Sequence, residues 1–300
     1  MNVLYEKIGF FGLGTMGIHM TSNLVKAKYK VYAYDPNQDT IKKLFIKNEI
    51  TWCKSAVEVA NNVNIIILCL PTFDDVIKTI EDVRNIVNKK SGSVLIDMST
   101  SPPRDTKEVA SDLARDNIHF MDAPISGGPQ RAKTGELSIF IGGEKEIFER
   151  NKHIFNVIGK NIFYMGDSGN GQLMKLVNNL VSLTNLLVLA EALNMGANAG
   201  LSVAQMVKAI NVSGGVSRMS QERGPRIAKR DFSLNDGGKL EHAYKDLRFV
   251  CDFADSTYTP LPLANFGKQV YQLANHLNLG KDELASIIKI YEYLNNRHKW

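Results

Sequence analysis

Three polar side chains stand at the start of a long apolar segment. The stretch GNGQLMKLVNN, residues 169–179, runs into LVSLTNLLVLAEALNMGANAG, a pattern that predicts a buried helix. Lys175, Asn178 and Asn179 are spaced i, i+3 and i+4, so on a helix they share one face. A lysine buried in such a helix costs free energy unless a partner or a reaction uses its amino group. The alternative for Lys175 alone is a side chain that extends its charged end into water.

A glycine-rich loop near the N-terminus is typical of a site for dinucleotide phosphates. The loop GLGTMG follows the apolar run KIGFF and opens a helical pattern. In that context the first glycine permits a tight turn, the second lets the backbone approach a pyrophosphate, and the third lets helix and strand pack closely. The helix N-terminus would offer N–H groups to the phosphates; the alternative is a glycine turn without a ligand. The predicted cofactor-binding residues of the loop are Gly12, Leu13, Gly14, Thr15, Met16 and Gly17.

A carboxylate further along the chain bears on the choice of cofactor. Asp35 ends the next β-like run, KVYAYD, where it would accept hydrogen bonds from an adenosine ribose and repel a 2′-phosphate. Residues 36–38 include no arginine or lysine, so NAD is predicted in preference to NADP, which stays possible. An aspartate in a surface turn is the alternative. Leu70 and Pro71 end the strand pattern of LCLPTFDD and are expected at the same cofactor-binding edge of a sheet.

The segment DAPISGG predicts a turn that could bind a carboxylate. Ser126 follows a proline by two residues and precedes Gly127 and Gly128. Such a turn exposes backbone N–H groups and a hydroxyl, although an ordinary loop turn has the same composition. A serine nucleophile is not indicated, because the chain lacks a G-x-S-x-G elbow here.

Composition excludes several classes of function. The chain has 300 residues, 44% of them hydrophobic, and a net charge of +5 from scattered basic residues, which argues against a nucleic-acid partner. Cys53, Cys69 and Cys251 show no metal-binding spacing and indicate reduced thiols in a cytoplasmic protein, with no metal.

The N-terminus lacks a signal-peptide layout. The apolar segment 176–199 carries several asparagines and a glutamate, which favours a soluble helix over a membrane span.

The order of the elements predicts an α/β domain followed by an all-α domain. Near-continuous apolar runs (KIGFF, KVYAY, NIIILCL and SVLIDM) alternate with the helical patterns TMGIHMTSNLVKA, DTIKKLFIK and DDVIKTIEDVRNIV, as in a parallel, doubly wound Rossmann sheet. Further β-like runs are HFMDAP, LSIFIGG and NIFYMG. We expect a NAD(P)-binding domain over residues 1–164 and an all-helical domain over residues 165–300, to which the family resemblance given below assigns substrate binding and oligomerisation. Its predicted helices span 171–199, 202–212, 239–255, 262–277 and 282–297, and the loop 213–225 is predicted to be mobile or close to the substrate.

Taken together, the motifs resemble the β-hydroxyacid dehydrogenase family. FFGLGTMGIHMTSNL, CLPT, DMST, DAPISGG followed by GELSIFIGG, GNGQLMKLVNN and YKDLRF appear in that order over nearly the whole chain. Members of the family include 3-hydroxyisobutyrate dehydrogenase and the glyoxylate/succinic semialdehyde and tartronate semialdehyde reductases. The resemblance implies a Rossmann domain followed by a helical domain that also makes the subunit contacts, in a homodimer or homotetramer.

The resemblance also implies roles for individual residues. Lys175 matches the catalytic acid/base, which takes the hydroxyl proton as hydride leaves for the cofactor. Thr100 matches a threonine near the nicotinamide and the substrate. The remaining matches are substrate-binding: Ser126, Gly127 and Gly128 to the carboxylate, with Asn178, Asn179, Lys245 and Asp246 in the same cleft.

Two positions depart from the family pattern. Gly238 stands where many members carry an aromatic residue, which bears on the shape of the substrate pocket. Pro36 stands where NADPH-using members often have an arginine, in agreement with the expectation from Asp35.

The expected activity is hydride transfer between a nicotinamide cofactor and a small β-hydroxy acid resembling 3-hydroxyisobutyrate. One alternative is an NADPH-dependent reductase of the glyoxylate or succinic semialdehyde type. Another is a non-catalytic dinucleotide-binding module, from which the lysine would be lost. 6-Phosphogluconate dehydrogenase fits less well, because its helical domain is much longer and it has histidine where Asn178 stands.

Overall fold

The protein forms two compact units. The computed structural model describes residues 6–37, 49–234 and 237–295. The first unit is Met1–Lys175 and the second is Leu176–Trp300, and the boundary expected at 164/165 stays a prediction. The predicted helix DTIKKLFIK and the end of the helix predicted over 282–297 lie outside the described residues.

The first unit is built on one sheet, whose order is β3-β2-β1-β4-β5-β6-β8-β7 with β9 beside β8 over the described residues. The neighbouring strands β3, β2, β1, β4, β5 and β6 are parallel to one another. Strand β8 runs antiparallel to β6 and β7 and parallel to β9. This order is that of a Rossmann sheet, so the predicted fold class is confirmed. The strands are β1 (Lys7–Phe11), β2 (Lys30–Tyr34), β3 (Thr51–Trp52), β4 (Ile65–Leu68), β5 (Val94–Asp97), β6 (His119–Asp122), β7 (Ile125–Ser126), β8 (Leu137–Gly142) and β9 (Gly159–Gly166).

Helices cover both faces of this sheet. Along β4, Ile65 and Ile67 belong to one apolar cluster, whereas Ile66 and Leu68 belong to another. Alternate side chains of a strand point to opposite faces, so the apolar runs reflect burial on both sides. Among its described residues, the helices of this unit are α1 (Gly17–Lys26), α2 (Ala56–Asn62), α3 (Phe73–Val87), α4 (Pro103–Ala114), α5 (Gly128–Thr134) and α6 (Lys145–Ile158).

A helix of 29 residues, α7 (Asn170–Asn198), continues from the first unit into the second. The expectation that its apolar run is buried was wrong for one face: Val181, Val188 and Met195 are 57%, 58% and 71% exposed. The apolar residues of this helix occur on all of its sides, so its sequence pattern does not distinguish a buried face from an exposed one. By length and composition alone, α7 is also long and apolar enough to cross a membrane. The core helix of a soluble protein can meet the same two criteria.

Shorter helices complete the second unit. The prediction of a loop over 213–225 was wrong, because this segment contains one helix and the start of another. Ser217 and Ser220 form a capping box, in which each hydroxyl accepts a hydrogen bond from the other residue's backbone N–H. The described elements are α8 (Val203–Ile210), α9 (Arg218–Glu222), α10 (Gly224–Lys229), α11 (Leu240–Ser256), α12 (Pro262–His276), a 3₁₀ turn (Leu284–Ile287) and α13 (Ile288–Leu294).

Candidate active site

The glycine loop between β1 and α1 requires glycine at two positions and leaves open space at a third. Gly12 has φ +88°, and a Cβ there would collide with the carbonyl oxygen of Cys69. A Cβ on Gly17 would collide with the carbonyl oxygen of Gly12, whereas one on Gly14 would meet nothing within 4 Å. The loop therefore packs tightly at its ends and is open at Gly14, the glycine predicted to approach a pyrophosphate. These residues fit a dinucleotide.

Asp35 ties the end of β2 to this loop. Asp35 as a whole is only 9% exposed. One carboxylate oxygen accepts a hydrogen bond from the backbone N–H of Leu13 at 2.8 Å and the other from that of Asn37 at 2.8 Å. The predicted ribose-binding carboxylate is thus fixed beside the loop, and it also helps to hold the loop in shape.

The ends of β4 and β5 are joined through serine side chains. Ser99 Oγ accepts a hydrogen bond from the N–H of Leu70 at 2.9 Å, and the Ser99 N–H donates to Asp97 at 2.9 Å. The hydroxyl of Ser101 donates to the same carboxylate at 2.8 Å. Ser99 and Ser101 are buried, whereas Thr100 between them is half-buried. Buried neighbours therefore hold Thr100 on both sides.

Asp122, at the end of β6, fixes the start of α7. Its fully buried carboxylate accepts hydrogen bonds from the backbone N–H groups of Gly169 at 2.7 Å and Gln172 at 2.8 Å. Burial raises its pKa to about 6, and the nearby charge of Asp97 acts in the same direction, while the two N–H donors lower it. Because a helix N-terminus carries unpaired N–H groups, the carboxylate caps the helix that bears Lys175.

Lys175 lies beside the SGG turn within the first unit. The side chain is half-buried, and its Nζ donates a hydrogen bond to the carbonyl oxygen of Ile125 at 2.8 Å. Ile125 and Ser126 form β7, after which Gly127 and Gly128 have φ values of +140° and +70°. The motifs DAPISGG and GNGQLMK, far apart in the sequence, are therefore adjacent in the fold.

The second unit brings together the remaining predicted substrate-binding residues. Asn179 is 8% exposed, and its amide Nδ2 donates to a carboxylate oxygen of Asp246 at 2.7 Å. Asn178 Nδ2 lies 3.3 Å from Asn179 Oδ1, and Lys245 Nζ lies 5.8 Å from the centroid of the Phe249 ring. Helix α11 supplies Lys245, Asp246 and Phe249. The asparagine pair is thereby oriented by an acidic residue from another helix.

Each unit gathers its own set of predicted residues. Asp122 and Gln172 were not predicted to have a role, although both stand inside motifs that the sequence singled out. Their partners lie far away in the chain, so no local spacing identifies them. Over residues 6–37, 49–234 and 237–295, no cluster of three or more His, Cys, Asp or Glu side chains could hold a metal ion. The first unit holds Gly12, Leu13, Gly14, Thr15, Met16, Gly17, Asp35, Leu70, Pro71, Thr100, Ser126, Gly127, Gly128 and Lys175, and the second holds Asn178, Asn179, Lys245 and Asp246.

Protein-family models match both parts of the chain. Residues 7–166 match the NAD binding domain of 6-phosphogluconate dehydrogenase, and residues 169–291 match the model described as NAD-binding of NADP-dependent 3-hydroxyisobutyrate dehydrogenase. The chain is 32% identical over 290 residues to 2-(hydroxymethyl)glutarate dehydrogenase of Eubacterium barkeri, covering 96% of this chain and 95% of that one. It is 33% identical over 288 residues to the mitochondrial 3-hydroxyisobutyrate dehydrogenase of Homo sapiens, covering 94% and 85%.

This chain belongs to the 3-hydroxyisobutyrate dehydrogenase family. As a member, it is an NAD(P)-dependent 3-hydroxy acid dehydrogenase. Its fold agrees with that of a solved member: the crystal structure of 3-hydroxyisobutyrate dehydrogenase from Salmonella typhimurium matches with a TM-score of 0.86 and 26% identity, covering 95% of this chain and 99% of the other. The family's second-domain model accounts for residues 169–291, which distinguishes this chain from 6-phosphogluconate dehydrogenase itself.

Proposed function

We propose that this family member oxidises a 2-substituted 3-hydroxypropanoate, HOCH₂–CH(R)–COO⁻, to the corresponding 3-oxo acid, with Lys175 as the general base. The names of two relatives support this substrate class. 3-Hydroxyisobutyrate and 2-(hydroxymethyl)glutarate both contain this unit, with R a methyl group in the first and a carboxyethyl group in the second. The shared part is the primary alcohol one carbon removed from the carboxylate, which is the part that the reaction needs.

The observation that carries the proposal is the place of Lys175 in the first unit. Its Nζ is held 2.8 Å from the carbonyl oxygen of Ile125, the residue before Ser126. A base must lie within hydrogen-bond reach of the proton that it removes. A substrate whose carboxylate is bound at the SGG turn carries its hydroxyl only a few bonds away, a short distance from the amine.

The proposed proton and hydride movements balance. A nicotinamide cofactor bound at the glycine loop would supply the acceptor for the hydride that leaves the hydroxyl-bearing carbon. Lys175 in its neutral form takes the hydroxyl proton, so that the C–O bond becomes a carbonyl and the amine becomes an ammonium group. In the reverse direction the same ammonium group protonates the alkoxide oxygen.

The substrate carboxylate is proposed to bind at Ser126, Gly127 and Gly128. The space that a Cβ of Gly128 would occupy has no atom within 4 Å, and the serine side chain is half-buried at the end of β7. A hydroxyl and backbone N–H groups suit a carboxylate ligand. Asn178, Asn179, Lys245 and Asp246 are proposed to orient the rest of the substrate, as the resemblance implies.

NAD is the proposed cofactor. The buried carboxylate of Asp35, fixed by the N–H of Leu13, would accept hydrogen bonds from a ribose and repel a 2′-phosphate. The family model for residues 169–291 is described with NADP, so the preference must be measured for this chain.

We also propose a homo-oligomer. Along α7, Val181, Val188 and Met195 are spaced seven residues apart and are all more than half exposed. Seven-residue spacing keeps side chains on one face of a helix, and an apolar stripe of this kind is characteristic of a helix that packs against another.

A panel of hydroxy acids tests the proposed activity. Reduced nicotinamide formation would be followed by absorbance with 3-hydroxyisobutyrate, 2-(hydroxymethyl)glutarate, 3-hydroxybutyrate and glycolate, each with NAD and NADP. We expect turnover of the first two, little of the secondary alcohol 3-hydroxybutyrate, and none of the 2-hydroxy acid glycolate. Preferred reduction of glyoxylate or succinic semialdehyde with NADPH would instead support the reductase alternative. No turnover of any of these substrates, with NAD binding intact, would overturn the proposal.

A further inference from the structure

We propose that Gln172 is a positioning residue for the reaction, which holds Thr100 in a fixed position relative to Lys175. The inference rests on the proposed function of Lys175. It concerns only the first unit, where all three residues lie. Gln172 itself is fully buried and is not proposed to touch the substrate.

The side chain of Gln172 makes two hydrogen bonds to the segment 99–101. Its Oε1 accepts a hydrogen bond from the backbone N–H of Ser101 at 3.0 Å, and its Nε2 donates to the carbonyl oxygen of Ser99 at 2.9 Å. The two bonds are made on either side of Thr100. A carboxamide provides one acceptor and one donor, which matches the two backbone groups.

Gln172 is itself fixed to the sheet. Its backbone N–H donates to the buried carboxylate of Asp122 at 2.8 Å, at the start of α7. Lys175 follows three residues later on the same helix, so it lies on the same side one turn along. Its Nζ is bonded in turn to Ile125. Two hydrogen bonds from Gln172 and one turn of α7 therefore link the segment that contains Thr100 to the general base.

The connection also reaches Leu70, two residues beyond the end of β4. Ser99, whose carbonyl oxygen binds the carboxamide, accepts the N–H of Leu70 at its hydroxyl. The segment 99–101 is thus held from both β4 and α7. Thr100 is the most exposed of the three residues in the segment. The resemblance implies that it lies near the nicotinamide and the substrate.

Loss of the carboxamide would leave two backbone groups of this segment unpaired in a buried place. Such groups are unfavourable, so the segment is expected to shift until each finds a partner. A displacement of about 1 Å from a reactive geometry can cost about 10²-fold in rate. The effect of removing Gln172 should therefore appear in the chemical step and not only in stability.

Gln172→Leu tests the inference, since leucine has a similar size and no polar atoms. We expect single-turnover hydride transfer to fall by roughly 10- to 100-fold, with a much smaller change in KM for the substrate. The deuterium isotope effect on kcat should rise as the chemical step becomes slower. Gln172→Asn keeps the carboxamide on a shorter side chain, so the rate should lie between those of the wild type and the leucine variant.

Amide hydrogen exchange provides a second readout that needs neither cofactor nor substrate. In Gln172→Leu the N–H of Ser101 should exchange faster, because its acceptor is gone. The N–H of Gly169, which is bonded to Asp122, should keep its protection. Unchanged exchange at Ser101 would show that the carboxamide does not hold the segment.

Asn151→Leu is the matched control. Asn151 is also a buried carboxamide of the first unit, 6% exposed, and its Nδ2 donates to the carbonyl oxygen of Ile147 within α6. Its replacement should lower the melting temperature without changing the hydride-transfer rate per folded molecule or the exchange at Ser101. If Gln172 contributed to stability alone, Gln172→Leu would likewise keep the wild-type rate of hydride transfer per folded molecule and the wild-type exchange at Ser101. That result would overturn the inference.

The two proposals fail in different ways. If the wild type shows no hydride transfer, the proposed function fails, and the exchange measurement still decides whether Gln172 holds the segment. If Lys175→Ala abolishes transfer while the folded Gln172 variants retain the wild-type rate, only the positioning role is excluded. If Gln172→Leu does not fold, the asparagine variant is measured in the same way, and a wild-type rate with it would overturn the inference.

Discussion

The free energy of unfolding of this enzyme should depend on pH through the titration of Asp122. Burial raises the pKa of Asp122 to about 6 in the folded protein, compared with about 3.9 for an unperturbed aspartate. Between these two values the folded state binds the proton more tightly than the unfolded state does. The contribution of Asp122 to the free energy of unfolding therefore decreases as the pH rises from about 4 to about 6.

The size of the effect follows from the shift. A difference of about two pKa units corresponds to about 3 kcal/mol, at about 1.36 kcal/mol for each unit. Asp122→Asn removes the titrating group but keeps one oxygen as an acceptor. The free energy of unfolding of the wild type minus that of the variant should therefore fall by about 2 kcal/mol between pH 4 and pH 7, and by the full amount only when the series begins well below pH 4.

Urea denaturation of both proteins at a series of pH values measures this difference. Taking the difference between the two proteins removes the titrations that they share. Asp112→Asn is a control of opposite sign, because Arg84 lowers the pKa of Asp112 by hydrogen bonding. The wild type should gain stability relative to that variant as the pH rises.

A flat or rising difference for Asp122→Asn would refute the reasoning. It would mean that the N–H groups of Gly169 and Gln172 stabilise the carboxylate at least as much as burial destabilises it. Asp122 would then be an ordinary ionised helix cap.

Three further predictions concern the cofactor, the substrate and the subunits. Asp35→Ala should weaken NAD binding by about 1.5–3 kcal/mol, the contribution of a hydrogen bond to a charged group, and should narrow the preference over NADP in fluorescence titrations; wild-type enzyme that binds NADPH several-fold more tightly than NADH would contradict this. Ser126→Ala should raise KM for the hydroxy acid by a similar free energy with kcat less affected, and a substrate complex with the carboxylate elsewhere would exclude this role. Val188→Asp should reduce the oligomer mass in light scattering, because a charge would be buried at the proposed contact; a monomeric wild type would be inconsistent with the contact.

Much of the fold could be predicted because burial on both sides of a parallel sheet leaves a clear pattern. The strands β1, β2, β4 and β5 are almost continuous apolar runs, and each was expected at its place in the chain. The glycine loop was equally clear, since the close approach of Gly12 and Gly17 to the backbone excludes any side chain.

The features that could not be predicted depend on contacts between distant residues. Asp122 binds N–H groups that lie 47 and 50 residues further along the chain, and Gln172 lies 71 residues from Ser101. No local periodicity records such bonds. The exposed face of α7 was missed for a different reason: its apolar residues surround the helix, so the pattern does not distinguish the face that the monomer buries.

The role of Lys175 is the central claim, and single-turnover hydride transfer tests it most directly. Wild-type enzyme, Lys175→Ala and Lys245→Ala would be mixed with saturating NAD and 3-hydroxyisobutyrate, and the first turnover followed by absorbance of the reduced cofactor. General acid–base catalysis contributes about 10²–10⁴-fold, so the Lys175→Ala rate should fall by about that factor while NAD affinity changes little. Lys245→Ala should weaken substrate binding more than the chemical step. Intact transfer in Lys175→Ala together with its loss in Lys245→Ala would contradict the account and assign the base to the other lysine.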